Sequence, residues 1–147
     1  MLRVLLCPVF FLFSFGCNFS DSGYILKYSN MKDFNQLRWE QDSTLLVLAG
    51  NMSVLSGPVK LRSGKYVLEF SARGEKANNI LPHFVISVGN YIIRDISIAE
   101  GDNDYSYKFE LPESLEEPLQ FTFDNDYNDS TGDRNIYLLF PVIIRRY

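Results

Sequence analysis

A period-two alternation of apolar and polar residues recurs along this sequence and constrains its fold more than any other feature. Over 105–111, the apolar residues Tyr105, Tyr107, Phe109 and Leu111 alternate with Ser106, Lys108 and Glu110. Such alternation is typical of an antiparallel strand with one face in the core and one in solvent. It also predicts strands over 66–73, 83–89, 91–98, 119–123 and 135–144, and shorter ones over 24–28, 45–49 and 58–62. No helical period is sustained after Cys17, so we expect an all-β domain.

Turn-forming residues separate these strands at short intervals, among them Ser63-Gly64, Asn78-Asn79, Gly89-Asn90 and Gly101-Asp102. Short, evenly spaced strands are typical of a β-sandwich or barrel. Consecutive antiparallel strands place every second connection at the same end of the fold. We therefore expect the 74–82, 99–104 and 124–134 loops to share one end.

The first 16 residues have the features of a bacterial lipoprotein signal peptide. Arg3 precedes an apolar run from Val4 to Phe15, and Gly16 stands directly before Cys17. The run is too short to span a bilayer comfortably. We predict cleavage before an acylated Cys17, a tether over 17–23 and one domain over 24–147, anchored by lipid in the bacterial cell envelope. The alternative is an ordinary secretory signal with an incidental Cys17, and the domain is exported in either case.

Cysteine content and charge exclude several classes of function. The only cysteines are Cys7 and Cys17, so the mature domain forms no internal disulfide, and a single His83 leaves few ligands for zinc. Residues 101–133 hold ten acidic residues and one basic residue, Lys108. Nucleic acid is not an expected partner because binding phosphates needs positive charge. A cation is the expected one, and Glu75 adds an acid to the third loop.

The acidic residues are densest in 121–137, which reads FTFDNDYNDSTGDRNIY. Oxygen ligands crowded on a short loop suit Ca²⁺. An EF-hand is not expected because Asp129 stands at its glycine position and Asn135 at its final glutamate position. The loop instead enters an apolar strand at Ile136. The sequence therefore predicts a strand-to-strand calcium loop whose candidate ligands are Asp124, Asp126, Asp129 and Asp133.

This segment resembles the calcium-dependent, xylan-binding type of carbohydrate-binding module. Those modules carry a strand ending in F-x-N-D, a short loop, D-R-N or R-D, and then an apolar strand. Here the motif is Phe123-Asp124-Asn125-Asp126 followed by Asp133-Arg134-Asn135-Ile136-Tyr137. Ser63-Gly64-Lys65-Tyr66, Ala72-Arg73-Gly74 and the Pro82 to Val88 strand also match, so the resemblance covers roughly residues 40 to 146.

The resemblance implies a jelly-roll β-sandwich in which loop-bound Ca²⁺ contacts vicinal hydroxyls of a sugar. Asp126 and Asp133 match the two motif aspartates, whereas Asp124 and Asp129 enter only through the density of carboxylates. The candidate ligand-binding residues are Asn125, Tyr127, Arg134 and Asn135. Among them, Tyr127 could stack on a sugar ring and Arg134 could bind a hydroxyl or carboxylate in a bidentate fork.

Together these features predict non-catalytic, calcium-dependent binding of a polysaccharide or glycan by a lipid-anchored envelope protein. One alternative is a structural or protein-binding envelope lipoprotein whose calcium only stabilises the loop. The other is a small glycosidase, since many acidic pairs are present. We do not expect an enzyme, because no nucleophile elbow, metalloprotease helix motif or phosphate-binding glycine loop occurs in the sequence.

Overall fold

The computed structural model describes residues 23–32 and 44–147, and nearly all of their regular structure is β-strand. Within these ranges the only helical element is a 3₁₀ turn at Tyr28–Asn30. The strands are β1 (Tyr24–Leu26), β2 (Met31–Lys32), β3 (Leu45–Leu48), β4 (Met52–Leu61), β5 (Gly64–Gly74), β6 (His83–Val88), β7 (Tyr91–Ser97), β8 (Asn103–Leu111), β9 (Leu115–Phe123), β10 (Asn128–Asp129), β11 (Gly132–Asp133) and β12 (Ile136–Arg146). The all-β prediction is confirmed.

Two antiparallel sheets form the sandwich. The first has the order β1-β12-β5-β8, with β3 also paired to β12, and the second has the order β2-β4-β9-β6-β7. Strands that are neighbours in space are mostly distant in sequence, so the chain crosses repeatedly from one sheet to the other, as in a jelly roll. A small separate hairpin, β10–β11, projects from the connection between β9 and β12.

The core lies between the inward faces of the two sheets. Tyr66, Leu68, Phe70 and Ala72 of β5 are buried, as the alternation predicts, and so are Phe84, Ile86, Phe121 and Phe123 of the second sheet. Phe70 meets Phe84 edge to face across the sandwich, with ring centroids 6.0 Å apart. Burial of each such large side chain contributes about 1.5–3 kcal/mol to folding.

β4 begins at Met52, well before the strand predicted over 58–62. The sequence does not predict its first part because a bulge interrupts the alternation of apolar and polar residues. The register shifts between Leu55 and Pro58, so that Val54 and then Val59 face the core on either side of the shift. The buried Ser56 hydroxyl accepts the main-chain N–H of Leu119 at 3.0 Å, which satisfies a donor beside the irregularity. A bulge also explains how Pro58 fits within a sheet.

β8 and β9 belong to different sheets. Among the strands that the structure describes, β8 pairs with β5 alone, whereas β9 pairs with β4 and β6. The short turn at 112–114 therefore carries the chain across the sandwich between them, so the alternation of both strands reflects burial against the shared core and not pairing with each other.

The three predicted loops share one end of the sandwich. Gly74 donates its main-chain N–H to Ala99 at 2.8 Å, and Glu75 donates to Asn135 at 2.9 Å. A side chain at position 74 would lie 2.5 Å from the carbonyl oxygen of Ile98, so this close approach requires glycine. We call residues 74–82, 98–104 and 124–135 the loop end.

Several predictions concern residues outside the described ranges. The signal peptide over 1–16, the acylated Cys17 and most of the tether over 17–23 are among them. In the part of the chain that is described, no helix is long and apolar enough to cross a membrane.

Candidate functional site

The loop end contains an open cleft of about 560 Å³. Its lining comes from all three loops and consists of Arg73, Gly74, Glu75, Lys76, Glu100, Gly101, Gly132 and Asp133. Lys76 forms a salt bridge of 2.7 Å with Glu100, which joins the first loop to the second. Charged groups of both signs are thus available to a ligand at this position.

A hydrogen-bond network centred on Glu75 forms the floor of this cleft. Its Oε2 accepts from the amide of Asn135 and from the hydroxyl of Tyr137, each at 2.9 Å. The same Asn135 nitrogen donates to Asp133 Oδ2 at 2.9 Å, so one amide holds two carboxylates close together. Burial, followed by the neighbouring Glu75 carboxylate, raises the pKa of Tyr137 and keeps its hydroxyl protonated.

Two buried polar atoms of the loop end have no hydrogen-bond partner among the described residues: Nε of Arg73 and Oδ1 of Asn135. The Arg73 guanidinium does stack on the ring of Tyr137, with 4.3 Å between its carbon and the ring centroid. An unsatisfied buried polar group costs about 1–3 kcal/mol. Both such groups lie beside the cleft, where a functional site is a common reason for the cost.

Asp129 closes the β10–β11 hairpin. Its Oδ1 accepts from the main-chain N–H and the hydroxyl of Thr131, at 2.7 and 2.5 Å, and from the N–H of Gly132. Its Oδ2 accepts from the Tyr127 hydroxyl at 2.5 Å. These bonds, led by the Thr131 hydroxyl, lower the pKa of Asp129 to about 2. The carboxylate is therefore occupied by the turn that it stabilises.

Asp124 pairs with His83, which lies at the start of β6. The His83 ring contacts Asp124 through Nδ1 and Asp95 through Nε2, each at 2.6 Å. These two carboxylates, Asp124 first, raise the pKa of His83. The next residue, Asn125, accepts the main-chain N–H of His83 at 2.7 Å and donates to the Leu81 carbonyl at 3.0 Å. The sequence places His83 in the predicted strand over 83–89, which is correct, but it does not predict this arrangement.

The structure does not bring the four predicted calcium ligands together. Asp124 faces His83, Asp129 faces its own turn, and Asp133 faces Asn135; the main-chain N–H of Asp126 donates to Asn51 at 2.7 Å. Over residues 23–32 and 44–147, no group of three or more Asp, Glu, His or Cys side chains is arranged to hold a metal ion. The carboxylates of Asp124, Asp129 and Asp133 instead contact His83, Thr131 and Asn135.

The four candidate ligand-binding residues fall into two groups. Asn125 and Tyr127 are half-buried, whereas Arg134 and Asn135 are 4% and 6% exposed. The guanidinium of Arg134 donates to three main-chain carbonyls, which leaves little of it for a sugar. Asn135 instead orients the two carboxylates of the cleft.

Sequence reasoning did not select Arg73, Lys76, Glu100 and Tyr137, which line or adjoin the cleft. Arg73 and Tyr137 are partners in the register between β5 and β12. Both lie on the outward face where their strands meet the loop end. The available signal for Arg73 and Tyr137 was this position: an outward residue where a strand adjoins a loop that was already a candidate.

Solved structures with the same architecture belong to carbohydrate-binding modules. One is a CBM4 module, with a TM-score of 0.53 and 13% identity over 84% of this chain and 94% of that chain. The apo form of CBM1 of BiXyn10A gives 0.53 and 14% over 86% of this chain and 99% of that chain. This chain shares the β-sandwich fold of these modules. This confirms the β-sandwich implied by the sequence resemblance, and at these identities the likeness establishes the fold alone.

The same fold also occurs within an enzyme chain. A family two carbohydrate esterase from Cellvibrio japonicus matches with a TM-score of 0.52 and 11% identity, over 85% of this chain but only 33% of the esterase. No protein-family model matches the chain, and no curated protein matches it in sequence.

Proposed function

We propose that this protein binds a polysaccharide or other glycan, without cleaving it, in the cleft at the loop end. One fold hosts many functions, so the fold of a carbohydrate-binding module supports this proposal only by analogy. The observation that carries it is the cleft itself, in which the adjacent carboxylates of Glu75 and Asp133 lie beside the cations of Arg73 and Lys76.

The chemistry of the cleft suits neighbouring sugar hydroxyls. Each hydroxyl both donates and accepts hydrogen bonds, whereas a carboxylate only accepts and an ammonium or guanidinium only donates. Glu75 and Asp133 can accept from two hydroxyls on one ring, because Asn135 already holds the two carboxylates side by side. Lys76 can donate to the same ligand from the rim of the cleft. Tyr127 adds a half-buried ring nearby in the 124–135 loop.

Calcium dependence stays a prediction that rests on the sequence resemblance and the density of carboxylates. The described side chains do not fit the site predicted from Asp124, Asp126, Asp129 and Asp133, for the reasons given above. The proposed recognition is therefore derived from the protein's own groups, without a metal. The lipid anchor at Cys17 and the envelope localisation rest on the sequence alone, and mass spectrometry of membrane-extracted protein would test them.

A glycan array followed by calorimetry would test the binding function. Glu75→Gln and Asp133→Asn should together weaken glycan binding at least about tenfold, because each removes a charge-assisted hydrogen bond. The matched control is Glu113→Gln, which changes an exposed acid in the turn at 112–114 and should leave the affinity unchanged. Equal affinity of the double variant and the parent protein would exclude the cleft. Repeating the titration with a chelator tests calcium separately.

One observation favours the small glycosidase as a second candidate. Glu75 Oε2 and Asp133 Oδ2 each lie 2.9 Å from the Asn135 amide nitrogen, so these two oxygens are within about 6 Å of each other. Retaining glycosidases hold their two carboxyl groups at about 5–5.5 Å. Release of reducing ends from a bound glycan, abolished by either substitution, would replace the binding proposal with this one.

A further inference from the structure

We propose that Arg134 is a positioning residue that sets the turn at 77–80 against the 124–135 loop and so fixes the shape of the loop end. Its importance for glycan binding rests on the proposed function, whereas its effect on the two loops follows from geometry alone. This differs from the ligand-binding role predicted from the sequence.

The Arg134 side chain links two loops that are far apart in sequence. Its Nε donates to the carbonyl of Ile80 at 3.1 Å and its Nη2 to the carbonyl of Ala77 at 2.8 Å. Its Nη1 donates to the carbonyl of Asn125. The main-chain N–H of Arg134 also donates to Tyr127 at 2.8 Å. One residue therefore holds both ends of the 77–80 turn and two points of the 124–135 loop.

The turn at 77–80 is a segment that needs external support. Ala77 and Ile80 pair with each other through reciprocal main-chain hydrogen bonds of 3.2 and 3.0 Å. The two residues between them, Asn78 and Asn79, have φ angles of 54° and 59°, in the left-handed region that non-glycine residues seldom adopt. Asparagine tolerates this conformation better than most residues do, but two in succession still carry strain. The Arg134 bonds to both ends of the turn oppose its opening.

Burying the charged side chain of Arg134 costs free energy, which indicates that the hydrogen bonds it makes are important for the structure of the two loops. Its side chain is 4% exposed, and its acceptors among the described residues are neutral main-chain carbonyls. A buried charge is expensive and is retained in some proteins for the specificity of the structure that it enforces. The planar guanidinium donates to the three carbonyls from three separate nitrogens, whereas the three donors of lysine lie on one nitrogen and cannot reach acceptors so far apart.

The arrangement has a direct consequence for the cleft. Gly132 packs against Ala77, since a side chain at position 132 would lie 3.4 Å from the Ala77 side chain. Gly132 and Asp133 line the cleft, and Arg134 follows directly in the chain. Opening of the 77–80 turn would therefore displace the wall that carries Asp133, while the β-sheets stay in place.

Hydrogen exchange of the full mature protein tests the positioning role without a ligand. Arg134→Lys should speed amide exchange in 77–81 and 125–134 by about tenfold or more, the change expected from loss of one charge-assisted hydrogen bond, and leave β5, β6 and β9 protected. Arg94→Lys is the matched control, because Arg94 is exposed and stacks on Tyr107 away from these loops. Uniform acceleration across all strands, or none in the two loops, would overturn the proposal.

A rescue experiment distinguishes positioning from general stabilisation. In Arg134→Ala, methylguanidinium at a concentration far below denaturing levels should restore slow exchange in the two loops, whereas methylammonium should not. Failure of the rescue would assign Arg134 to general packing. A parent protein that binds no glycan would overturn the proposed function alone, because the exchange pattern is measured without glycan.

Discussion

The interior of the sandwich and the loop end both contain buried side chains, but different interactions hold those side chains in place. In the interior, Phe84, Phe121 and Phe123 are fully buried and pack through apolar contact alone. At the loop end, the buried residues Arg134 and Asn135 are polar, and directional hydrogen bonds hold them. Apolar packing tolerates changes that preserve volume, whereas a hydrogen-bond network depends on each partner. A cavity in the interior should therefore lower the stability of the whole domain, whereas loss of a hydrogen bond at the loop end should affect mainly the neighbouring loops.

The largest effect should follow from a cavity in the interior. Phe121 is fully buried and stacks on Phe84 with 5.9 Å between ring centroids. Phe121→Ala should lower the free energy of unfolding by about 3–5 kcal/mol, measured by chemical denaturation. Tyr147→Ala is the control, because Tyr147 is 59% exposed and its loss should cost no more than about 0.5 kcal/mol. Equal losses in both variants would contradict the comparison.

A smaller effect is expected where the two regions meet. Gly74→Ala places a methyl group 2.5 Å from the Ile98 carbonyl oxygen and 2.8 Å from Pro82. This overpacking should cost about 1–3 kcal/mol of unfolding free energy and separate the first loop from the second. Gly132→Ala is the matched control at the same end, since its nearest neighbour lies at 3.4 Å. If both glycines tolerated alanine, the close approach of the loops would not be a constraint.

The same contrast explains how far the sequence predicts this molecule. The inward faces of β5, β6 and β9 follow from alternation, because burial of apolar residues depends only on the local pattern. Every strand predicted from that pattern is present, and the two-residue strands β2, β10 and β11, too short to alternate, were not predicted. The shared end of the three loops was also predicted, because consecutive antiparallel strands place every second connection at the same end of the fold.

The partners within the loop end could not be predicted in the same way. The sequence predicts Asp124 as a ligand from the density of carboxylates and Asp133 from a motif match, whereas in the structure Asp124 contacts His83 and Asp133 accepts from Asn135. Hydrogen-bond partners are set by strand register, which pairs Phe84 with Phe123 and so brings His83 beside Asp124. A density of carboxylates indicates a site, but it does not say which donors satisfy each carboxylate.

The pairing of His83 with Asp95 and Asp124 predicts a modest pH dependence. Because the two carboxylates raise the folded pKa of His83 above its ordinary value of 6.5, their stabilisation is complete below that value. It is lost as the pH rises through the higher folded pKa. The contribution should be of the order of a partly exposed ion pair, about 0.2–1 kcal/mol.

His83 is the only histidine in the chain, so its imidazole resonances in an NMR titration report this pKa unambiguously. The pKa should fall toward its ordinary value in Asp95→Asn and in Asp124→Asn. The control is Asp102→Asn, an exposed acid that makes no contact with His83 among the described residues. A His83 pKa unchanged by both substitutions would contradict the pairing. A lower His83 pKa on addition of Ca²⁺ would instead indicate that the ion competes for Asp124, a candidate ligand that the density of carboxylates predicts.

The smallest and most local effect concerns Asp129, whose carboxylate is fully exposed yet accepts four hydrogen bonds within its own hairpin. These bonds lower the pKa of Asp129 to about 2. The ionised carboxylate therefore stabilises the hairpin fully above the ordinary carboxyl pKa, and this stabilisation is lost as the pH falls through about 2. The amide resonances of Thr131 and Gly132 should therefore stay unchanged on acidification until the pH is well below the ordinary pKa of aspartate.

Asp129→Asn keeps an acceptor oxygen for the turn and should preserve those resonances at neutral pH, whereas Asp129→Ala should shift them. Neither substitution should change the exchange of β9, because the hairpin pairs with none of the other strands in the described part of the chain. If Asp129→Ala also accelerated exchange in β9, the loop end and the interior would unfold as one cooperative unit. The two regions would then differ in the interactions that build them but not in their stability.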